Sequence, residues 1–248
     1  MTYDTLLKIE PQLEPGDIGL VQVNWKLSNL FFSGNWTHSL MYLGDAKKLS
    51  HFFDLDIETS MTMQAMCLAE GLDCYNFSTY MQQKYPESYQ EYEYSLHQEK
   101  KYVVIEALKD GVIFTGLEES MALDNLVLLR AKLSKKDRAL AIINAFSHYG
   151  KPYDYNFTNY TNDRLVCTEL ITKSYEPDPE VGKEGITTWE VGFYMGRPAM
   201  YAFDLLETFV NRIGKPEQQL ELVIYLKGEQ GNFGTARTGT LEELISTL

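Results

Sequence analysis

Three side chains of this 248-residue chain have the chemistry to act together on a carbonyl carbon: Cys167, His38 and Glu106. Cys167 stands in the run Asp163-Arg164-Leu165-Val166-Cys167-Thr168-Glu169-Leu170, at the expected start of a short helix, after a loop rich in aromatic and polar residues. A cysteine attacks as thiolate, so its pKa must be held down. A helix N-terminus favours the anion through its free N–H groups and its dipole. A neighbouring imidazole, itself oriented by a third polar group, balances the proton.

The sequence has four histidines. His51 follows a polar turn and His97 lies in a charged stretch. His148 falls near the end of an expected helix, where an imidazolium suits the C-terminal carbonyls. His38 differs. It lies in a strand-like run at 35–44, where alternation sets Trp36, His38, Leu40 and Tyr42 on one face. Glu106 lies likewise in the strand-like run at 101–108, in a row with Tyr102, Val104 and Leu108. Ionisable groups in apolar rows of neighbouring strands are costly unless they pair.

Other elements must place these residues. Pro15-Gly16-Asp17 turns the chain into a strand at 18–23, and 24–34 reads as a loop or short helix. A helical run at 61–70 stops at Gly71. The tyrosine-rich stretch after it (Tyr75, Tyr80, Tyr85, Tyr89, Tyr92, Tyr94) reads as a helical insertion, about 46–100, between two strands. It is either ordinary amphipathic packing or a lid or substrate wall. Asp110-Gly111 is a hairpin signal joining 101–108 to 112–115. With a further strand at 126–130, this gives an antiparallel meander. Ser134 and Asp137 cap a helix that runs toward Gly150. A helix at 201–213 and a strand at 220–226 follow. The glycine-bearing segment 228–248 is expected as a loosely held tail with a final short helix, so that 1–227 forms one α+β domain carrying the insertion.

Composition narrows the class. Hydrophobic residues make up 44% of the chain and the formal net charge is −13. A surface this acidic opposes nucleic-acid backbones and anionic membranes. Three cysteines without CxxC spacing leave at least one thiol unpaired, and Cys67 and Cys74 read as small buried hydrophobes. No His, Cys or carboxylate cluster has ligand spacing, so no metal or other cofactor is expected. No apolar run is long enough for a transmembrane segment, and no apolar stretch of a leader precedes residue 20. As it stands the chain is expected to be cytoplasmic; it would be exported or periplasmic if a leader had been removed.

Five short motifs succeed one another across residues 15–175: Pro15-Gly16-Asp17-Ile18, His38-Ser39-Leu40-Met41-Tyr42-Leu43-Gly44, Val104-Ile105-Glu106-Ala107, Gly150-Lys151-Pro152-Tyr153-Asp154 and Val166-Cys167-Thr168-Glu169-Leu170. In this order they resemble the circularly permuted NlpC/P60 superfamily of papain-like cysteine hydrolases, most closely its YiiX/YebB-like branch. The unpermuted order begins with the Gly-x-Pro-Tyr loop and an Asp-Cys-Ser helix start, then continues with the Pro-Gly-Asp strand and the strand histidine.

The resemblance implies a permuted papain-like fold, an antiparallel meander or barrel packed against helices, with the nucleophile at a helix N-terminus. It implies Cys167 as nucleophile, His38 as general base and Glu106 as the group orienting His38. Tyr153 matches the loop tyrosine beside the nucleophile, and Thr168 stands where serine is usual; both are expected on the substrate or oxyanion side. The Cys167 backbone N–H is a further oxyanion donor. The Asn-Cys-Glu-His signature of the lecithin:retinol acyltransferase branch is absent. The implied activity is hydrolysis of an amide bond in a peptide, cell-wall peptides included, through an acyl-enzyme. Two alternatives stay open: an acyltransferase, thioesterase or lipase acting on lipid acyl groups, and a non-catalytic binding module on the same fold. The expected partner is a small peptide or acylated substrate; the sequence sets no oligomeric state.

Overall fold

A computed structural model describes residues 1–22, 36–95, 98, 101–155, 163–194, 197–229 and 234–248. The loop or short helix expected at 24–34 and His97 lie outside these residues. The strands are β1 (Ile18–Gln22), β2 (Trp36–Tyr42), β3 (Val104–Leu108), β4 (Gly111–Thr115), β5 (Asn125–Ala131), β6 (Gly192–Tyr194), β7 (Arg197–Ala199), β8 (Leu220–Gly228) and β9 (Ala236–Thr238). The helices are α1 (Tyr3–Ile9), α2 (Ala46–Asp54), α3 (Ile57–Glu70), α4 (Phe77–Lys84), α5 (Pro86–Tyr94), α6 (Leu117–Met121), α7 (Lys135–Ser147), α8 (Cys167–Ser174), α9 (Ala202–Val210) and α10 (Leu241–Ile245).

Seven strands form one antiparallel sheet in the order β4-β3-β2-β1-β5-β8-β9, and β6 and β7 pair separately. The larger core lies on one face, where α2–α5, α7, α8 and α9 bury Phe53, Met63, Phe77, Phe146, Leu170 and Leu205. On the other face a smaller cluster joins α1 and α6 to Leu40, Tyr42, Val104 and Leu128. This is the α+β arrangement expected.

One expected face is broken. The pairing of β1 with β2 shifts between Val21 and Gln22, whose partners are His38 and Trp36. Thr37 is thereby bulged, and the side-chain alternation slips by one. Trp36 joins the large core against Tyr225, while Leu40 and Tyr42 stay on the α1/α6 face.

The insertion is four short helices. Asp45, Asp56 and Asn76 begin α2, α3 and α4 by accepting the N–H of Lys48, Thr59 and Thr79. Tyr80, Tyr89 and Tyr92 are buried, and the Tyr92 hydroxyl donates to the Gly44 carbonyl at 2.6 Å. Tyr92 also packs its ring on Phe114 and Phe146. Packing therefore accounts for half of the tyrosine series.

Two expectations are corrected. Cys67 and Cys74 form a disulfide, with Cα atoms 5.7 Å apart. Gly71 takes the left-handed conformation that ends α3, and the reversed chain returns Cys74 beside the last helical turn. Residues 236–248 are not loosely held. β9 pairs with β8, Leu244 of α10 is buried, and Trp36 Nε1 donates to Thr247 Oγ1 at 3.0 Å. Gly239 lies flat against the Tyr225 ring, where a Cβ would collide. Here glycine marks close approach, not slack.

Candidate active site

β2 and β3 pair through Met41 with Ile105 and Tyr42 with Val104. No further pairs between them occur among the described residues, so the strands part toward His38 and Glu106. The N-terminus of α8 packs at this opening, against β2 and β3. Cys167 is the first residue of α8 and is 8% exposed. The Val166 N–H donates to Glu169 Oε2 at 2.9 Å, closing the helix start. At its far end the Tyr175 hydroxyl donates to the Gly16 carbonyl, fastening α8 to the turn before β1. That turn is fixed in its own right, since buried Asp17 accepts a two-pronged bond from Arg130, both arms 2.8 Å.

The Gly150–Asp154 loop is held against β4. The Val112 N–H donates to the Lys151 carbonyl at 2.8 Å and the Gly150 N–H to the Val112 carbonyl at 2.9 Å. Gly111 has φ +107, and its missing Cβ makes room for the Lys151 carbonyl. A bridge between Tyr153 and Leu165 then brings this loop alongside the approach to Cys167.

His38 Nε2 is 2.5 Å from Glu106 Oε2, with side chains 18% and 2% exposed. Thr115 Oγ1 and Ser120 Oγ both donate to the other oxygen, Glu106 Oε1. With Nε2 committed to Glu106, the remaining ring nitrogen serves the hydrogen bond to Cys167. Burial alone disfavours the imidazolium. The Cys167 charge and hydrogen bond, followed by the Glu106 bond and charge, outweigh it and push His38 up to about 10. Burial likewise opposes ionisation of Cys167, but the His38 charge and hydrogen bond, with help from Ser39, leave it below the ordinary thiol value. Burial also opposes ionisation of Glu106, yet His38, Ser120 and Thr115 hold its carboxyl below the usual range. All three shifts act in the same direction, toward a thiolate–imidazolium pair backed by a carboxylate.

Cys167, His38 and Glu106 thus come together from α8, β2 and β3. Tyr153 lies close enough for the Cys167 charge to act on it. Burial first, then that charge, push its phenol up, so it stays a neutral donor. Thr168 is placed differently from expectation. It is 1% exposed and its hydroxyl donates to the Met200 carbonyl at 2.6 Å, so it ties α8 to the segment before α9. His148 is also corrected. Burial, with Lys151, Lys173 and Lys183 nearby, lowers it to about 4, and Lys151 Nζ lies 2.8 Å from its Nδ1, so it is neutral.

Sequence reasoning missed three supporting groups. Ser39 helps to hold the Cys167 thiol down, and its buried hydroxyl has no partner at hydrogen-bond distance. Ser39 sits next to His38 in the same motif, which was its signal. Thr115 could have been found from the Asp110-Gly111 turn, which sets Thr115 opposite Val104 and diagonal to Glu106. Ser120 follows on α6 and had no local signal. Among the described residues no three His, Cys, Asp or Glu side chains form a metal-holding group.

No curated protein matches this sequence. One solved structure that aligns with it is described as the metalloprotein YiiX of Escherichia coli O157:H7; it is 19% identical, with 92% of this chain and 97% of that one covered and a TM-score of 0.45. Residues 12–193 match the family described as permuted papain-like amidase enzymes, YaeF/YiiX. That match spans all five motifs and most of the chain, and the chain belongs to the permuted papain-like amidases of the YaeF/YiiX family.

Proposed function

We propose that this protein hydrolyses an amide bond in a peptide, with Cys167 as nucleophile, His38 as general acid and base, and Glu106 as the group that orients His38. The supporting observation is the charged pair itself: a buried thiol below its ordinary pKa beside an imidazole pushed up to about 10. The thiolate attacks the carbonyl carbon, and the carbonyl electron pair moves to oxygen. The Cys167 N–H at the start of α8 suits that oxyanion, and Tyr153, a neutral phenol within reach of the Cys167 charge, is the second donor proposed for it. The intermediate collapses as the C–N bond breaks, and His38 gives its proton to the leaving nitrogen. An amide nitrogen leaves readily only when protonated, so an imidazole that is charged at neutral pH favours amides over thioesters. Water, deprotonated by the now neutral His38, then attacks the acyl-enzyme and releases the thiolate. Peptides of cell-wall type are within this class. The Cys67–Cys74 disulfide suits an oxidising compartment, and so an exported protein.

Alkylation of Cys167 by iodoacetamide, followed against pH, tests the pair. The parent is expected to react with a midpoint well below the free-thiol value of about 8.5, and His38→Ala at or above it. A parent midpoint near 8.5 that the substitution leaves in place would refute the assignment. Release of amine from short peptides, compared with chromogenic acyl esters of graded chain length, separates amide hydrolysis from lipid acyl transfer.

A further inference from the structure

A groove of about 620 Å³ opens on the insertion between α2, α4 and α5, and none of its lining residues belongs to the Cys167 site. We propose that it binds a saccharide, a neutral ring compound rich in hydroxyls.

The rim carries the first argument. Tyr80 and Tyr92 of the same stretch are consumed by the core, but Tyr75 and Tyr94 line the groove while each is 63% exposed. A phenol ring in solvent offers a flat apolar face for the C–H groups of a sugar and a polar edge for its hydroxyls. The polar lining carries the second. Gln82 and Gln90 present amide donors and acceptors without charge, and Asn76 accepts from Thr79 through Oδ1, which leaves its amide donors. Pockets for apolar ligands are lined mainly by hydrophobic side chains, and this one is not.

Charge excludes anionic ligands. Asp54 accepts from the Ser78 N–H at 2.9 Å and from its hydroxyl at 2.6 Å, so each of its oxygens is occupied within the protein. Lys47 and Glu93 cancel within the remaining lining. Asp54 stays charged, so the lining carries one net negative charge and leaves no surplus cation for a phosphate or carboxylate. The groove is also preorganised. The Cys67–Cys74 disulfide ends one residue before Tyr75, and the Asn76 cap follows it directly.

The test uses the full chain, with amide ¹H–¹⁵N spectra recorded during titration with chitotriose and, separately, maltotriose. At least one sugar is expected to shift amides of residues 46–94, with saturation on the order of millimolar sugar. The double variant Tyr75→Ala/Tyr94→Ala is expected to bind about tenfold more weakly, since each ring removes one stacking face. Gln82→Ala weakens binding by a smaller factor, and both variants keep the parent's Cys167 alkylation profile. The inference is overturned if neither sugar shifts these amides, if the shifts map outside the groove, or if the double variant binds like the parent. Inorganic phosphate shifting the same amides would also overturn it, because the ligand would then be anionic. These outcomes are independent of whether Cys167 is catalytic.

Discussion

Glu106→Gln isolates the carboxylate's charge from its shape. The carboxyl is buried, its Oε2 meets His38 and its Oε1 takes both Thr115 and Ser120. Glutamine is isosteric; its oxygen can face the imidazole while its amide meets two hydroxyls that can turn to accept. The fold should therefore survive while a charge-assisted bond becomes a neutral one, a difference of about 1–2 kcal/mol. Since 1.36 kcal/mol corresponds to about one pKa unit, His38 should fall from about 10 to about 9. The lower limit of the ion pair, set by Cys167 beside a charged imidazole, should move much less. His38 is raised above the ordinary 6.5, so its contribution to stability is full below that pH and is lost as pH rises through about 10. The destabilisation caused by the substitution should accordingly be present at pH 7 and shrink above pH about 10. Imidazole ¹³Cε1 resonances, with His38 assigned through His38→Gln, read the midpoint without any substrate. A parent His38 that titrates near 6.5, or a variant whose midpoint does not fall, would refute the reasoning.

Two further outcomes follow from corrected expectations. Replacing Cys67 and Cys74 together by serine, or reducing the parent, should lower stability to urea by about 2–3 kcal/mol, the chain-entropy value for so short a loop, without moving the Cys167 alkylation profile; equal stability of the oxidised and reduced forms would count against a stabilising bridge. Thr168→Val should cost about 1–3 kcal/mol, because the Met200 carbonyl loses its donor, again with Cys167 reactivity unchanged. The reverse pattern, intact stability with peptide turnover lost, would return Thr168 to the oxyanion side.

Much of the site was legible because its members break local rules. A histidine and a glutamate in apolar strand rows, and a cysteine at a helix start, each stand out against their neighbours. The sheet was legible where apolar runs meet a clear turn signal, as at 104–108 and 111–115 on either side of Asp110-Gly111. It failed at Trp36, because a one-residue bulge leaves no mark in composition yet moves a side chain to the other face. The disulfide was missed for a related reason: the left-handed turn at Gly71, rather than the sequence spacing, sets the distance between Cys67 and Cys74. The C-terminal glycines misled because the same residue serves loose chain and tight approach, and only the neighbouring Tyr225 ring distinguishes them. His148 misled because helix position argues for a charge, whereas burial and three lysines argue against it and win.

The site depends on backbone that the sheet leaves unpaired. Met41 and Tyr42 hold β2 to β3, and the strands then diverge before His38. A ladder continued through Ser39 would have spent its N–H on β3; divergence frees it for the Cys167 sulfur. The same gap lets groups from opposite faces meet. Leu170 and Ile171 bury α8 in the large core, whereas Glu106 is held by Thr115 and by Ser120 of α6 on the other side. His38 spans the opening between them, bonded to Glu106 on one side and Cys167 on the other. Permutation fits this geometry, because no two of the three residues need be close in sequence. β2, β3 and α8 need only converge where the sheet opens, and the ties of α8 to Gly16 and Met200 keep its N-terminus there.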